Sequence, residues 1–401
     1  RGIMNYQRID AQKLFPSVKQ RLFSVYGLFG YEELSLPLFE QYEKYLQYKA
    51  VSDETLLKII DRTGNILVLR PDATFHVLKT IGSMNFSENR YCYMTNVFRF
   101  KENNYEKNDI MQAGVELFNA PSAHADAEII AVAIESLKAL GIDDIHFDLG
   151  HSKFVHQFLK EIGITKESDI IYYHSLIENK NLVALSDLLY KEKITSEHID
   201  LLCNIAMLFG EYQTVLDKAG ALCINKKMER FLEEIRSIYR ALDAYGLCRY
   251  VHLDLGFSNP MNYYSGMIFK GYVIGHGEAV ISGGRYDNLA QQFAGKHFAC
   301  GLGQNIDVTM DILLNHPTAP AQKTCFIGGE DYRTAVQLAA KLRSSGQKCV
   351  LYFDEHHAPY TLGGHDIQIN VGKEHSVITS PKGTKTVPTR QVFNEAEDLL
   401  C

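Results

Sequence analysis

The stretch Tyr91–Glu116, YCYMTNVFRFKENNYEKNDIMQAGVE, constrains this chain more than any other. It reads as a strand, a charged Asn-rich loop and a return strand. Val97 and Phe98 carry Arg99 to the end of the first strand. On the return strand Gln112, Gly114 and Glu116 are spaced by two, and such residues share one face of a strand. A glutamine, a glycine and a carboxylate on one sheet face build a poor apolar core. They suit the floor of a small-molecule site, or a polar face turned to water.

The surrounding segments supply helices and further strands. Over residues 10–29, Phe15, Val18, Leu22, Val25 and Phe29 recur at helical spacing, and Gly30 ends the run. Pro16 is placed where a first turn tolerates it. EELSLPLFE reads as an edge strand, because Pro37 cannot donate to a ladder. NILVLRPDAT is a strand with a polar end, residues 123–140 are a helix closing at Gly141, and IHFDLGH is a buried strand. Residues 160–245 are helix-rich and read as an insertion, whose last helix buries Phe231, Ile235, Ile238 and Leu242. Strands resume with YVHLDLG, MIFKGYVI and AVISGGRYDNL, and FACGLGQNIDVTMDILL leads into a last core helix. NHPTAPAQ is a linker by composition. After it, TCFIGG, a helix, KCVLYFD, DIQINVG and VITSPKG form a small α/β unit.

Composition narrows the function classes. At 401 residues the chain exceeds one ordinary core. Its formal net charge is -7, so the surface as a whole repels phosphate backbones, and it has no Lys/Arg run of the kind that drives non-specific nucleic-acid binding. No apolar segment reaches the roughly 18 residues that span a bilayer, and RGIMNYQRID lacks the apolar run of a signal peptide. The 8 Cys are scattered without a C-x-x-C pair, a pattern that fits reduced thiols in a cytoplasm.

Several clusters carry polar chemistry. Asp72 and Thr74 follow a strand two residues apart and offer two acceptors to an ammonium group; an Asp-Thr helix cap is the other reading. Gln112 and Glu116 share a face, and Glu116 can accept from a protonated ring nitrogen. Tyr263 and Tyr264 precede SGMIF; on a strand they would alternate, giving one hydroxyl to a pocket and one ring to packing. Ser282–Asp287, SGGRYD, reads as a strand followed by a glycine turn that lets backbone approach a ligand, without the spacing of a dinucleotide or Walker loop. His124, Asp126 and Glu128 are metal-like in type but sit at a helix start, where acids answer the dipole. His356–His357 lacks further ligands nearby. No metal and no cofactor are expected.

Taken in order, these motifs resemble class II histidyl-tRNA synthetases over nearly the whole chain. LRPDAT looks like that family's LRPEGT, FRF…MQAGVE like its second motif, SGGRYDNL like its glycine segment and NYYSGMIF like its L-D-Y-Y segment. The resemblance implies an α+β fold: a class II antiparallel sheet core over 1–315, a helical insertion at about 160–245, and a shortened anticodon-binding-like α/β domain over 322–401. The departures concern cations. Lys101 stands where the second motif has Glu, and Glu102, Asn103, Asn104 and Asp109 occupy a loop expected to be basic. Val308 and Asn259 stand at two arginine positions. Adenylate formation needs cations where charge develops on phosphate, so the activating chemistry is expected to be lost.

That pattern, with QAGVEL, ADAEII and FDLGH, is similar to the regulatory subunits of ATP phosphoribosyltransferase, paralogues of the synthetases. The resemblance implies a non-catalytic subunit that binds a short-form catalytic chain and mediates feedback by L-histidine in the first step of histidine biosynthesis. It implies that Asp72, Thr74 and Gln112 hold the α-ammonium of histidine, that Glu116 and Tyr264 address the imidazole, that Tyr263 also belongs to the histidine-binding set, and that Arg99 lies near the carboxylate. A homodimer within a hetero-oligomer is expected. From Lys323 onward Lys plus Arg balance Asp plus Glu, so tRNA binding is expected to be weak or absent. The alternatives are an active histidyl-tRNA synthetase and a stand-alone histidine- or tRNA-sensing module.

Overall fold

The computed structural model describes residues 2–46, 53–83, 90–100, 109–257, 263–296, 298–315, 324–345, 347–352 and 367–400. Residues 101–104, Asn259, Asn262, the linker at 316–322 and the segment 355–365 with His356 and His357 lie outside them. The chain divides into two compact units, Arg1–His316 and Pro317–Cys401.

In the first unit, α1 (Gly2–Leu28) leads to β1 (Glu32–Glu33), β2 (Phe39–Gln41) and the one-turn α2 (Tyr42–Tyr45). β3 (Lys58–Ile60), β4 (Ile66–Leu69) and α3 (Ala73–Ser83) follow, then β5 (Arg90–Phe98), β6 (Asp109–Phe118), α4 (Ala123–Ala139) and β7 (Ile145–His151). The helical block comprises α5 (Phe154–Glu161), α6 (Glu167–Glu178), α7 (Leu182–Lys191), α8 (Ser196–Ala206), β8 (Phe209–Glu211), α9 (Tyr212–Ala219) and α10 (Lys226–Ala244). β9 (Val251–Asp254), β10 (Met267–Val273), β11 (Ala279–Arg285), α11 (Asp287–Ala294), β12 (Ala299–Asn305) and α12 (Ile306–Asn315) complete it.

Nine strands form one sheet in the order β1-β5-β6-β12-β11-β10-β7-β9-β8, antiparallel except at β1–β5 and β7–β9. β2, β4 and β3 make a separate three-stranded sheet. Strand alternation sorts the layers. Ala113, Val115 and Leu117 of β6 enter the main apolar cluster with α1 and α4, while the residues between them face the other way. α4 is buried around most of its girth because it lies against the sheet, α1 and α10. On the other side, Phe75, Leu78 and Ile81 of α3 pack with Leu289 and Ala290 of α11 and with Tyr91 and Tyr93 of β5. Helix ends follow the glycine signals: Gly30 and Gly141 take φ of 80° and 82°, the left-handed geometry that terminates α1 and α4.

Five details differ from the sequence reading. α1 begins at Gly2, so Pro16 lies inside the helix rather than in a first turn. Burial of Val18, Leu22 and Tyr26 beside α4 offsets the missing backbone bond. EELSLPLFE is broken at Pro37, because the carbonyls of Leu36 and Pro37 accept from Arg70 Nη1 at 2.9 and 2.6 Å instead of joining a ladder. The helical block contributes β8 to the sheet edge beside β9 and shares the main core. Phe231 of α10 is only half-buried, its ring stacked on His151 with centroids 4.3 Å apart. Gly283 and Gly284 lie inside β11, not in a turn. A Cβ there would sit 2.4 Å from the Gly301 carbonyl oxygen and 2.6 Å from that of Met267, so close strand approach is what they serve.

The second unit contains β13 (Thr324–Gly328), α13 (Tyr332–Ser344), β14 (Lys348–Leu351), β15 (Ile367–Val371), β16 (His375–Ser380), β17 (Gly383–Pro388) and α14 (Val392–Leu400). Its sheet order is β14-β13-β15-β16-β17. β17 and α14 extend what the sequence pattern indicated. No helix among the described residues is long and apolar enough to cross a membrane.

One ion pair bolts sheet to helix. Arg285, at the end of β11, meets Asp126 of α4 at 2.7 Å, and their side chains are only 10% and 9% exposed. Arg285 also donates to the Ala120 carbonyl and pairs with Asp287 at 3.2 Å. Removing one partner leaves the other charge buried and unmatched. Asp126→Ala is expected to lower the unfolding free energy by about 3–5 kcal/mol, measured by urea denaturation. A loss below about 1 kcal/mol would show the pair to be well hydrated.

Candidate functional site

The polar face of β6 looks into a cavity of about 360 Å³. That volume is at the small end of ligand sites and suits a metabolite. Asp72, Thr74, Arg99, Gln112, Glu116, Tyr263 and Tyr264 all line it.

Each arrives from a definite element. Asp72 and Thr74 sit at the start of α3, where Asp72 Oδ1 accepts from the Phe75 backbone N–H at 3.1 Å. The pair therefore both caps a helix and lines the cavity, joining the two readings of the sequence. Thr74 Oγ1 donates to Glu116 Oε1 at 2.9 Å. Arg99, just past β5, donates from Nε to the Pro71 carbonyl at 2.8 Å and lies 3.7 Å from Asp72. Its side chain is 39% exposed, open to a ligand. Gln112 Nε2 reaches the Tyr93 hydroxyl at 3.4 Å. Tyr263 and Tyr264 lie in a turn rather than a strand, so they do not alternate and both line the cavity, edge to face at 4.5 Å.

Glu116 is the deepest group, 1% exposed. Its Oε2 accepts from the Tyr286 hydroxyl, and Tyr286 stacks on Tyr263 at 5.5 Å. Burial pushes the Glu116 carboxyl up to about 8, against the pull of the Tyr286 and Thr74 hydrogen bonds. Burial likewise raises Tyr93, Tyr263, Tyr264 and Tyr286, which stay protonated. At neutral pH the floor thus holds a proton beside several hydroxyl groups.

Glycine on β12 makes room for this. Gly301 pairs with Glu116 and Gly303 with Gly114 in the strand register. A Cβ on Gly301 would lie 1.9 Å from Glu116 Oε2, and one on Gly303 would lie 2.1 Å from Gln112 Nε2. The side chains of β6 lean across a strand that has none of its own there. Ser282 and Tyr286, from the SGGRYD segment that the sequence singled out, also line the cavity, as do Gly301, Gly303 and Asn305, which were not among the sequence candidates. The alternation in ACGLGQN was their only local signal.

Arg99 is the only basic residue among the described lining residues. Val308, at an expected arginine position, is 9% exposed on α12 and packs into the main core. Asp126 is held by Arg285, and Glu128 pairs with Arg90 at 2.7 Å. No group of three His, Cys, Asp or Glu side chains able to hold a metal occurs among the described residues.

This sheet, its helical layers and the polar cavity define a class II aminoacyl-tRNA-synthetase-like protein, and the comparisons agree. The family model "Histidyl-tRNA synthetase" matches residues 10–308. The ATP phosphoribosyltransferase regulatory subunit of Clostridium novyi (strain NT) is 37% identical over 310 residues, covering 75% of this chain and 72% of that protein. That of Caldanaerobacter subterraneus subsp. tengcongensis is 30% identical over 366 residues, covering 89% and 95%. A crystal structure from Bacillus halodurans C, described as an ATP phosphoribosyltransferase regulatory subunit/histidyl-tRNA synthetase, superposes with a TM-score of 0.75 at 28% identity, covering 86% and 90%. Histidyl-tRNA synthetase from Nostoc sp. PCC 7120 shares the fold, with a TM-score of 0.79 at 19% identity over 96% of each chain. The chain belongs to the family of ATP phosphoribosyltransferase regulatory subunits, paralogues of class II histidyl-tRNA synthetase.

The buried carboxyl gives stability a sign with pH. Burial raises the Glu116 pKa from its ordinary 4.5 to about 8 in the folded chain. Below 4.5 both states are protonated; between 4.5 and 8 only the unfolded chain releases the proton, so stability falls as pH rises. Comparing native chain with Glu116→Gln by urea denaturation, the difference is expected to move in the variant's favour by a few kcal/mol from pH 5 to pH 8. A pH-independent difference would show that Glu116 titrates normally.

Proposed function

We propose that this chain is the non-catalytic regulatory subunit of an ATP phosphoribosyltransferase, that a short-form catalytic chain depends on it for activity, and that L-histidine bound in the cavity is the feedback signal. The observation that carries the reading is a small polar cavity rich in acceptors and hydroxyls with one accessible cation among its described lining residues. The functional groups of histidine are an ammonium, an imidazole and a carboxylate. Asp72, Thr74 and Gln112 offer acceptors to the ammonium. Glu116 and Tyr264 address the ring, and Glu116 still has lone pairs beyond its two hydroxyl partners. Tyr263 closes the site by ring contact, and Arg99 answers the carboxylate.

The same inventory argues against adenylate chemistry. Among the described lining residues Arg99 is the one guanidinium, whereas phosphoryl or nucleotidyl transfer calls for several cations around the phosphates. Histidine is then a ligand that shifts an equilibrium instead of a substrate. It acts by binding more tightly to a less active state of the assembly, with a coupling free energy typically of about 1–3 kcal/mol. The homodimer within a hetero-oligomer, the cytoplasmic setting and the weak or absent tRNA binding belong to this same reading.

Two measurements test it. The purified chain is expected to show no histidine-dependent pyrophosphate–ATP exchange; exchange above background would establish a working synthetase instead. Co-expressed with its catalytic chain, the native protein is expected to confer phosphoribosyltransferase activity that histidine inhibits. Glu116→Ala should abolish that inhibition while sparing activation. Unaltered inhibition would remove Glu116 from the effector site, and tight binding of uncharged tRNA without a phosphoribosyltransferase partner would favour a stand-alone sensor.

A further inference from the structure

The C-terminal unit carries a pair of thiols that the effector cavity does not use. β13 and β14 run parallel, and Cys325 stands directly beside Cys349 in their register. Residues in register on adjacent strands project from the same face of a sheet. Both thiols join the apolar cluster with Leu338, Ala339 and Leu342 of α13. Cys325 is fully buried and Cys349 is 8% exposed, and both are free. Neighbouring strands lie about 4.7–4.9 Å apart, within the Cα separation of roughly 4.4–6.8 Å that a disulfide bridges.

The two sulfurs are chemically unequal. Side by side in the register, the two thiols share one hydrogen bond. Arg343 of α13 donates from Nε and Nη2 to the Cys349 carbonyl oxygen at 3.2 and 2.9 Å, which holds its guanidinium beside that residue. The Cys325 bond first, and then the Arg343 charge, hold the Cys349 thiol below its ordinary value despite burial. The bond to Cys349, and then full burial, push Cys325 up. Elsewhere burial pushes Cys92, Cys223, Cys248 and Cys300 up, which suppresses their thiolates. Among the described strands β14 forms the edge of its sheet, so Cys349 is the member of the pair with a route to solvent. A thiolate-prone, marginally accessible cysteine with a second cysteine beside it is the arrangement of an attacking and a resolving thiol.

We propose that Cys325 and Cys349 form a reversible modification site, oxidised by a low-molecular-weight disulfide to a cross-strand disulfide joining β13 to β14. In the first step the Cys349 thiolate attacks one sulfur of the disulfide RS–SR. The S–S bond breaks, RS⁻ leaves and takes up the proton that Cys349 lost, and Cys349 carries a mixed disulfide. Cys325 then gives its proton to the second leaving RS⁻ as its sulfur attacks that of Cys349. Two cysteine thiols are oxidised by two electrons, and one RS–SR is reduced to two RSH. Excess RSH runs the sequence backwards.

The test uses the full chain with oxidised glutathione as the probe, quenched in acid, alkylated and mapped by peptide mass spectrometry. The expected product is a peptide linking Cys325 to Cys349, formed while Cys92 and Cys300 remain alkylatable after unfolding and lost on adding excess reduced glutathione. Cys325→Ala is expected to stop at a glutathione adduct on Cys349, and Cys349→Ala to leave Cys325 unmodified. Should either variant fail to fold by circular dichroism, the map of the unsubstituted chain decides. An adduct on Cys349 that persists in that chain, an unmodified pair, or equal modification of all cysteines would overturn the proposal.

Discussion

A carboxyl group stripped of water sets the terms for the rest of the core unit. Glu116 lies under the start of α3 and against the end of β11, with the Thr74 and Tyr286 hydroxyls on its two oxygens. Moving an ionised carboxylate out of water costs far more than two neutral hydrogen bonds return. The group therefore stays protonated near neutrality, at about 8. This requirement propagates outward. β12 must present glycine where the Glu116 and Gln112 side chains lean across it, since a Cβ at Gly301 or Gly303 would overlap them. Tyr286 must follow β11 directly so that its hydroxyl turns inward, and the Arg285–Asp126 pair anchors the strand end that aims it.

Nearby arginines do not all count as available charge. Arg70, in the segment that delivers Asp72 and Thr74, is 3% exposed and spends its N–H groups on the carbonyls of Leu36, Pro37 and Asn96 and on Thr95. It organises the break at Pro37. Arg285, beside the cavity glycines, is consumed by Asp126 and Asp287. That leaves Arg99 facing the cavity among the described residues. A count of basic residues in the motifs would overstate the site's capacity for phosphate.

Alternation along β6 made much of this legible in advance. A period of two placed Gln112, Gly114 and Glu116 on one face, residue spacing singled out Asp72, Thr74 and the tyrosines, and resemblance gave them ligand roles; all seven candidates line one cavity. The helix stops at Gly30 and Gly141 were equally local, each needing a left-handed residue at one point in the chain. What escaped were contacts between segments far apart in sequence. Nothing near Glu116 announces that Gly301 lies opposite it or that Tyr286 bonds to it. The broken strand at Pro37 depends on Arg70, and the extra strand β8 depends on β9, so neither has a local signature. The two adjacent tyrosines were misjudged because alternation was assumed where the chain turns.

The cavity's lining groups already have employment, and that bears on regulation. Asp72 caps α3 through the Phe75 N–H and pairs with Arg99, Thr74 is bonded to Glu116, and Asn305 caps α12 through the Val308 N–H at 3.2 Å. On the reading proposed above, an amino acid entering the site exchanges its own bonds for some of these, so its net affinity is a difference between two sets of contacts. A ligand biases a conformational equilibrium only by the amount that this difference changes between the states. Helix starts are suited to that role. A small change in the Asp72 or Asn305 cap alters how a whole helix is held, and α3 and α12 pack against different layers of the unit. Affinity and coupling are therefore separate properties of the same residues. Groups that cap and bind together, such as Asp72, carry coupling. A group whose bonds are the same in both states, however close to the ligand, contributes affinity alone.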